Sequence, residues 1–466
     1  MPDFAARAEE ALARIARFDP HLRAFALVEP EWVRERAWGQ DRAPRMGGPL
    51  AGRTLAVKDV LDVWGLPTGG GCRTPVVGDA GADAAAVAAL SGAGMLVLGK
   101  ANTVELAFGT WGVNRATATP RNPWDAATVR VAGGSSSGSA VAVAAGLADA
   151  ALGTDTGGSI RIPSALNNVT GLKPTGGRVP MAGCLPLCPE LDTIGPMART
   201  VEQVAHLLAV LADPAAGPAN PSPRLARQAV FDAAAALAAP VAGTRLAVLP
   251  DRYLDGVDAV VGAAYFAALA RLEGLGARLV EAAPPLSPQA CVEPSGLLMA
   301  GRAWRIWRDR VDRYETEIDK GVLSRLRGGA DIPDAEISKI LKARGRDQPV
   351  FHAWAQEFDA LLTPTVPVPA PGLADLDEGK LPFSRYVRMA NWLDLPALAL
   401  PCGETAEGLP VSLQILSTPW REAMLVTLGH GYQRVTDWAD RRPDLPALAA
   451  ATAEGVRAGT APGAPA

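Results

Sequence analysis

Strand-like and helix-like segments alternate along most of this chain, and the alternation limits the folds that it can adopt. Apolar strand-like segments and segments with apolar residues at helical spacing follow one another at 5–17, 24–28, 82–92, 95–99, 244–250, 257–275 and 277–281. Long amphipathic helices are expected over 296–345. This order predicts an α/β sandwich with a largely buried sheet.

Length and charge narrow the class of protein further. The chain has 466 residues, of which 48% are hydrophobic, and a formal net charge of −4. This length can bury a large core, and a near-neutral balance without a polybasic run argues against a nucleic-acid partner. The N-terminal segment lacks the apolar region of a secretory signal, and no apolar run is long enough to span a membrane. We therefore expect a soluble, cytoplasmic protein with neither a nucleic-acid nor a membrane partner.

The cysteines form a sparse and odd-numbered set, namely Cys72, Cys184, Cys188, Cys291 and Cys402. None of them has the spacing to further Cys or His residues that a zinc site requires. We expect reduced, buried thiols and no metal site.

Two turns rich in glycine and serine lie close together in the segment 133–161. The first, GSSSG at 134–138, matches the G-x-S-x-G nucleophile elbow of the α/β-hydrolases. Such an enzyme also needs a catalytic histidine, and His206, His352 and His430 all lie in helix-like patterns in which a packed histidine is common. A Ser-His-Asp esterase is an alternative that requires one of these three to be essential.

Lys58 is another candidate for a general base. It lies in an apolar, strand-like segment at 53–63, where burial would lower its pKa, although a lysine at a strand end can also extend to solvent. The second turn, TDTGGS at 154–159, places small residues ahead of a serine at the start of a predicted helix. Backbone N–H groups can converge there as an oxyanion hole, and the same pattern also suits a simple helix cap.

Together, the two turns and their flanks resemble the amidase signature family. The family's gapped pattern is met at Gly133, Gly134, Ser135, Ser136, Ser137, Gly138, Gly153, Asp155, Gly157, Ser159, Ile160, Arg161 and Pro163. Further blocks match in order: AVKDV around Lys58, GLKPTGGRVP (171–180), LDTIGPMARTV (191–201), LLTPTVPVP (361–369), NWLDLPALALPCG (391–403) and GLPVSLQIL (408–416). The resemblance covers roughly residues 5–440.

The resemblance implies one large α/β/α sandwich domain over 1–440, with a central mixed, twisted sheet covered by helices. From about 441 the chain becomes rich in Ala, Pro and Gly, so the tail 441–466 is expected to be partly disordered. The clearest internal loop is expected at 214–223.

The family uses a Ser–cis-Ser–Lys triad. By position, the resemblance implies that Ser159 is the nucleophile, that Ser135 is the cis-peptide serine and that Lys58 is the base. The separation of 24 residues from 135 to 159 selects Ser135 over the serines that follow it.

The resemblance also implies the groups around the triad. The backbone N–H groups of Thr156, Gly157, Gly158 and Ser159 would form the oxyanion hole, and neither a metal nor an organic cofactor is needed. The other charged residues of the pattern, Asp155 and Arg161, are expected to orient the loop, with carboxylate binding as the alternative for Arg161.

The expected function is that of a stand-alone amidase, which converts a carboxamide to a carboxylate plus ammonia or an amine through an acyl-enzyme on Ser159. Trp111, Phe108 and Cys184 lie in segments that border the acyl pocket of family members and favour an apolar or aromatic acyl group, although Trp111 could instead pack beneath its loop. The expected partner is a small-molecule amide, and a homodimer is compatible with the sequence.

Three alternatives stay open within the family. The first is the glutaminase subunit of a tRNA-dependent amidotransferase: RNPWD at 121–125 agrees with that subunit, whereas GTWGVNRATATP at 109–120 departs from it. The second is a hydrolase of ureido or carbamoyl compounds. The third is a non-catalytic binding protein on the same scaffold, which the joint presence of Lys58, Ser135 and Ser159 argues against.

Overall fold

A continuous mixed sheet runs through the centre of the molecule in the computed structural model, which describes residues 3–42, 47–213, 230–377 and 383–457. The strands are β1 (Phe25–Leu27), β2 (Thr54–Lys58), β3 (Pro67–Thr68), β4 (Val77–Asp79), β5 (Leu96–Ala101), β6 (Ala150–Asp155), β7 (Thr170–Lys173), β8 (Thr193–Ala198), β9 (Arg245–Val248), β10 (Arg278–Glu281), β11 (Ala360–Pro364), β12 (Ala397–Glu404) and β13 (Pro410–Leu416).

Helices cover this sheet. They are α1 (Phe4–Leu22), α2 (Pro30–Arg42), α3 (Ala85–Gly92), α4 (Ser137–Ala144), α5 (Arg161–Leu166), α6 (Val201–Leu211), α7 (Ala233–Ala238), α8 (Ala259–Gly274), α9 (Val292–Tyr314), α10 (Lys320–Gly328), α11 (Asp334–Ala355), α12 (Arg388–Trp392), α13 (Glu422–Gln433) and α14 (Leu445–Arg457). Most of the predicted elements are present, and their bounds differ by a few residues from those expected.

Within the described residues, the central sheet has eleven strands in the order β1-β5-β2-β6-β8-β7-β12-β13-β11-β9-β10, and β3 and β4 form a separate pair. Strand β2 pairs in parallel with both β5 and β6, and β9 pairs in parallel with β10 and β11. The strands between these two groups are antiparallel. The sheet is therefore mixed, as the resemblance implied.

Alternate residues of the strands point to opposite helical layers, which gives the molecule three layers. In β2, Leu55 and Val57 pack in one apolar cluster with α3, α6, α7, α8 and α13, whereas Ala56 belongs to a cluster with α1, α4 and α14. Near the other end of the sheet, Leu361 packs with α9, α10, α11 and α12. Because both faces of the strands are buried, their residues are apolar on both sides.

Helix α1 illustrates how local sequence sets an element. Its buried residues recur every three or four positions: Phe4, Ala8, Leu12, Ile15, Phe18 and Leu22. The Asp3 carboxylate accepts a hydrogen bond from Ala6 N at 2.8 Å, and Arg23 ends the helix in a left-handed conformation.

Packed structure continues past residue 440. Helix α14 places Leu445 and Leu448 in the same apolar cluster as α1, so the start of the Ala-rich tail is helical and docked. The disorder expected at the end of the tail concerns 458–466, which lie outside the described residues, and so does the whole of the loop predicted at 214–223.

Candidate active site

Lys58 lies at the end of β2, and its side chain is fully buried. Its ammonium donates hydrogen bonds to Ser135 Oγ at 2.8 Å and to Thr154 Oγ1 at 2.7 Å. Burial lowers the pKa of Lys58 to about 7, although nearby acidic groups act to raise it. A lysine with this pKa can carry or release a proton near neutral pH.

Ser135 is held in the first turn, just before α4. The peptide bond between Gly134 and Ser135 is cis, as the resemblance implied. The carbonyl of Ser135 accepts hydrogen bonds from Thr103 Oγ1 at 2.9 Å and from Val104 N at 3.2 Å. These contacts fix the backbone that presents Ser135 Oγ to Lys58.

The neighbouring serines have other surroundings. Ser136 N donates to the carbonyl of Ser159 at 3.1 Å, and Ser136 Oγ donates to the carbonyl of Thr154 at 3.2 Å. Neither Ser136 nor Ser137 contacts Lys58 by a hydrogen bond among the described residues. Ser136 thus joins the two serine turns by hydrogen bonds. Of the three consecutive serines, only Ser135 is hydrogen-bonded to Lys58 among the described residues.

Ser159 lies in the second turn, between β6 and α5, and borders the same cavity as Thr156 and Gly157. Among the described residues, no hydrogen bond joins its Oγ to Ser135 Oγ. The hydrogen bond from Lys58 to Ser135 is therefore present in this structure, and the contact between Ser135 and Ser159 that a proton relay requires stays a prediction.

The expectation that Gly158 contributes an N–H group to the oxyanion hole is wrong for this structure. Its N–H donates to Asp155 Oδ1 at 2.9 Å and is not free for a substrate oxygen. With φ of 115°, Gly158 adopts a conformation that favours glycine, and an added Cβ would lie 2.4 Å from Val387 Cγ2. Within the described chain, no hydrogen bond is present for the N–H groups of Thr156, Gly157 and Ser159, which can still converge on an oxyanion.

A buried ion pair holds this turn in place. Asp155 and Arg161 are both fully buried, and the guanidinium donates to the carboxylate from Nε at 3.0 Å and from Nη2 at 2.9 Å. Arg161 also donates to Asn391 Oδ1, Gln414 Oε1 and the carbonyl of Val387, each at 2.7 Å. Burial acts to raise the pKa of Asp155, but Arg161 holds it well below its usual range. Arg161 is saturated by protein partners, which agrees with loop orientation and not with carboxylate binding.

A cavity of about 570 Å³ opens beside Ser159. Phe108 and Trp111 line it, and their contact with a substrate stays a prediction. Trp111 also packs against Phe383 in a tilted arrangement with the ring centroids 4.9 Å apart. Cys184 is not among the described residues on the cavity wall, and its Sγ contacts the carbonyl of Leu185 at 3.5 Å. The cavity therefore gives no support to a substrate contact by Cys184. All five cysteines are free.

Several wall residues come from segments that the sequence analysis did not connect with the site. Val292 and Met299 come from α9, Arg325 comes from α10, Arg388 begins α12, and Ser384 lies in the segment before α12. The amphipathic pattern of these helices signals only that one face is buried. It does not signal that their ends meet at Ser159.

The histidines lie elsewhere. None of the described residues lining the cavity is a histidine. The ring of His352 contacts the carbonyl of Leu393 at 2.7 Å, and His206 lies beside Glu202 at a different cavity. This arrangement does not supply the base that a Ser-His-Asp esterase requires.

The described residues also bear on membrane spans and metal sites. No helix among them is both long and apolar enough to cross a membrane. No group of three or more His, Cys, Asp or Glu side chains in the same ranges could hold a metal ion.

Comparison with known proteins gives consistent relatives. The profile of the Amidase family matches residues 7–426. The chain is 36% identical to a glutamyl-tRNA(Gln) amidotransferase subunit of Roseiflexus sp., over 93% of each protein.

Solved structures agree with this result. A native peptide amidase from Stenotrophomonas maltophilia superposes with a TM-score of 0.80 at 29% identity, over 95% of each chain. A chain from a vestigial protein complex, described in connection with the origins of an s-triazine catabolic enzyme, gives a TM-score of 0.84 at 28% identity, over 93% of this chain and 95% of that one.

Proposed function

Because the chain belongs to the Amidase family, we propose that it hydrolyses a carboxamide C–N bond to a carboxylate plus ammonia or an amine. The observation that carries this proposal is the hydrogen bond of 2.8 Å from buried Lys58 to Ser135, at a cis peptide bond beside the Ser159 cavity. A base with a pKa of about 7 that is hydrogen-bonded to a serine hydroxyl is what serine activation without histidine requires.

The proposed mechanism begins with neutral Lys58. The lysine takes the proton of Ser135 as Ser135 takes the proton of Ser159, and Ser159 Oγ attacks the amide carbonyl carbon. The N–H groups of Thr156, Gly157 and Ser159 donate to the resulting oxyanion. The relay returns the proton to the leaving nitrogen as the C–N bond breaks, which leaves an ester on Ser159. Water, deprotonated through the same relay, then releases the carboxylate and restores Ser159.

A second setting for the same chemistry is a glutaminase subunit that delivers ammonia to partner subunits. The observation that favours it is the 36% identity to an amidotransferase subunit over 93% of both proteins. The peptide amidase, at 29% identity, favours the stand-alone setting that the sequence predicts. The curated relatives favour the subunit, and both settings use an acyl-enzyme on Ser159.

The test is ammonia release from a panel of aliphatic, aromatic, ureido and glutamine amides, with the wild type and Ser159→Ala compared. Ser159→Ala should lower turnover by at least about a thousandfold, since it removes the nucleophile, while the urea midpoint of unfolding stays near that of the wild type. Mass spectrometry of the acid-quenched wild type should find the acyl group on the peptide that contains Ser159.

The matched control is His430→Gln, which changes a histidine on α13 away from the cavity. It should retain wild-type turnover. A loss of activity in this control comparable to that of Ser159→Ala would contradict the proposed relay.

A further inference from the structure

The wall of the Ser159 cavity is positively charged. Its described residues include the two cations Arg325 and Arg388 and no Asp, Glu or His. The rest of this wall is apolar or neutral, with Phe108, Trp111 and Met299 among its larger side chains. A cavity of this composition offers an anion two cationic neighbours and offers an ammonium group no acidic partner.

Arg388 on this wall has a hydrogen-bond donor that the described residues leave unused. Its Nη1 donates to the carbonyl of Val292 at 2.7 Å, but its buried Nε has no hydrogen-bond partner among the described residues. Burial lowers the pKa of Arg388 to about 10, and no neighbouring carboxylate acts in the opposite direction. The guanidinium is therefore still charged at neutral pH, in a place where a buried charge without a counterion is costly.

The position of Arg388 relates it to the chemistry. A Cβ added to Gly157 would lie 3.6 Å from Arg388 Nε and 3.2 Å from Met299 Cε. Gly157 is one of the residues whose N–H groups face the proposed oxyanion, so Arg388 Nε lies beside the reacting end of the cavity. A group bound there would belong to the same small molecule as the scissile amide.

We propose that the cavity selects amides that carry a free carboxylate and no ammonium group, and that Arg388 receives this carboxylate. The proposal rests on the proposed function and names its substrate class. A guanidinium matches a carboxylate in both charge and hydrogen-bond geometry. A neutral aliphatic amide would leave Arg388 Nε unpaired, and glutamine would bring an ammonium group to a cationic wall. The preference for an apolar acyl group that was expected from Phe108 and Trp111 then applies only to the part of the substrate's acyl group between the amide and the carboxylate.

The test compares kcat/KM for succinamate and butyramide, which have the same chain length and differ by a terminal carboxylate in place of a methyl group. The wild type should prefer succinamate by at least about tenfold, as expected for a hydrogen bond between charged groups, and should hydrolyse glutamine less efficiently than succinamate. Arg388→Gln, which keeps a donor for the Val292 carbonyl, should bring the ratio of the two kcat/KM values close to one. Arg388→Lys should retain part of the preference.

Arg385→Met is the matched control, because Arg385 precedes α12 but donates to the carbonyl of Tyr253 and does not line the cavity. It should keep the wild-type ratio. A wild type that prefers butyramide or glutamine overturns the proposal, and so does an Arg388→Gln variant that keeps the ratio. If Arg388→Gln fails to fold, the wild-type ratio and Arg388→Lys still decide.

A binding measurement separates this proposal from the proposed function. Calorimetry with Ser159→Ala should give binding of succinamate at least about tenfold tighter than binding of butyramide, and the added Arg388→Gln change should remove the difference. If succinamate binds in this way but the wild type hydrolyses no amide, the proposed function fails and the proposed recognition of a carboxylate by Arg388 stands. If the wild type hydrolyses amides but does not bind succinamate more tightly than butyramide, the proposed carboxylate recognition fails and the proposed function stands.

Discussion

Lys58 is the residue whose chemistry depends most on its surroundings. In the proposed relay it must be neutral to accept a proton, and burial brings its pKa to about 7. The neutral fraction increases with pH, so kcat/KM should rise as pH increases through about 7 and should level off above it. Initial rates measured from about pH 5 to pH 9 check this. A flat profile, or one that falls as pH rises through this range, would argue against a lysine base.

A substitution at Thr154 should shift the dependence of kcat/KM on pH while Lys58, Ser135 and Ser159 stay unchanged. Its Oγ1 accepts a hydrogen bond from Lys58 Nζ at 2.7 Å, which favours the charged lysine. Thr154→Val has nearly the same shape and cannot accept this bond, so the rise in kcat/KM should move to lower pH. Ser139→Ala is the control, because Ser139 is also buried but bonds to the carbonyl of Leu152. An unmoved profile in Thr154→Val, or an equal shift in both variants, would contradict this role for Thr154.

At the scale of elements, one ion pair joins four pieces of the fold around the Ser159 turn. Asp155 ends β6, Arg161 begins α5, and the guanidinium also reaches Asn391 on α12 and Gln414 on β13. Because both charges are fully buried, each depends on the other to offset the loss of water. The turn that carries the proposed oxyanion hole is therefore held by contacts with α5, α12 and β13.

Arg161→Met should consequently lower the free energy of unfolding by about 3–5 kcal/mol, since it leaves the Asp155 carboxylate buried without the guanidinium to which it is hydrogen-bonded. Urea denaturation followed by circular dichroism measures this loss. The double variant Asp155→Asn/Arg161→Met removes both charges and should recover part of the stability. Equal urea midpoints for Arg161→Met and the wild type would show that the pair contributes nothing to the fold.

The helices and strands could be predicted from the sequence more fully than their arrangement. Helices α3 and α8 were predictable because their apolar residues repeat locally, and the parallel unit β9–α8–β10 follows from that pattern. The strand order of the sheet was not predictable, because strands buried on both faces have no alternation that identifies their neighbours. Local pattern specifies the elements, and tertiary packing specifies their arrangement.

The candidate site divides in the same way. The positions of Ser135 and Ser159 belong to a long gapped pattern, so sequence comparison with a family could locate them. The bond from Gly158 N to Asp155 could not be foreseen, because it depends on how the turn closes. Arg388 belongs to no such pattern, and only the packing of α9, α10 and α12 brings it to the cavity.

At the scale of the whole molecule, the proposed site is assembled within one chain. Lys58 comes from the sheet in the first part of the chain, the serine turns follow it, and the cavity wall is completed by residues of α9, α10 and α12. These helices pack in a shared apolar cluster with β9 and β11, so the wall is attached to the same sheet as the proposed base. The groups that the proposed mechanism uses are all supplied by this chain.

The isolated chain should therefore hydrolyse its amide substrate without a partner, and its specific activity should not depend on protein concentration. Ammonia release from succinamate, measured over a hundredfold dilution series with Ser159→Ala as the blank, checks this. In the subunit setting, activity would instead be low for the isolated chain and would increase on addition of partner subunits. Specific activity that falls on dilution would indicate that a second copy contributes to the site. Activity that stays constant on dilution and does not increase when partner subunits are added would favour the stand-alone setting, because the chain would then complete the reaction alone.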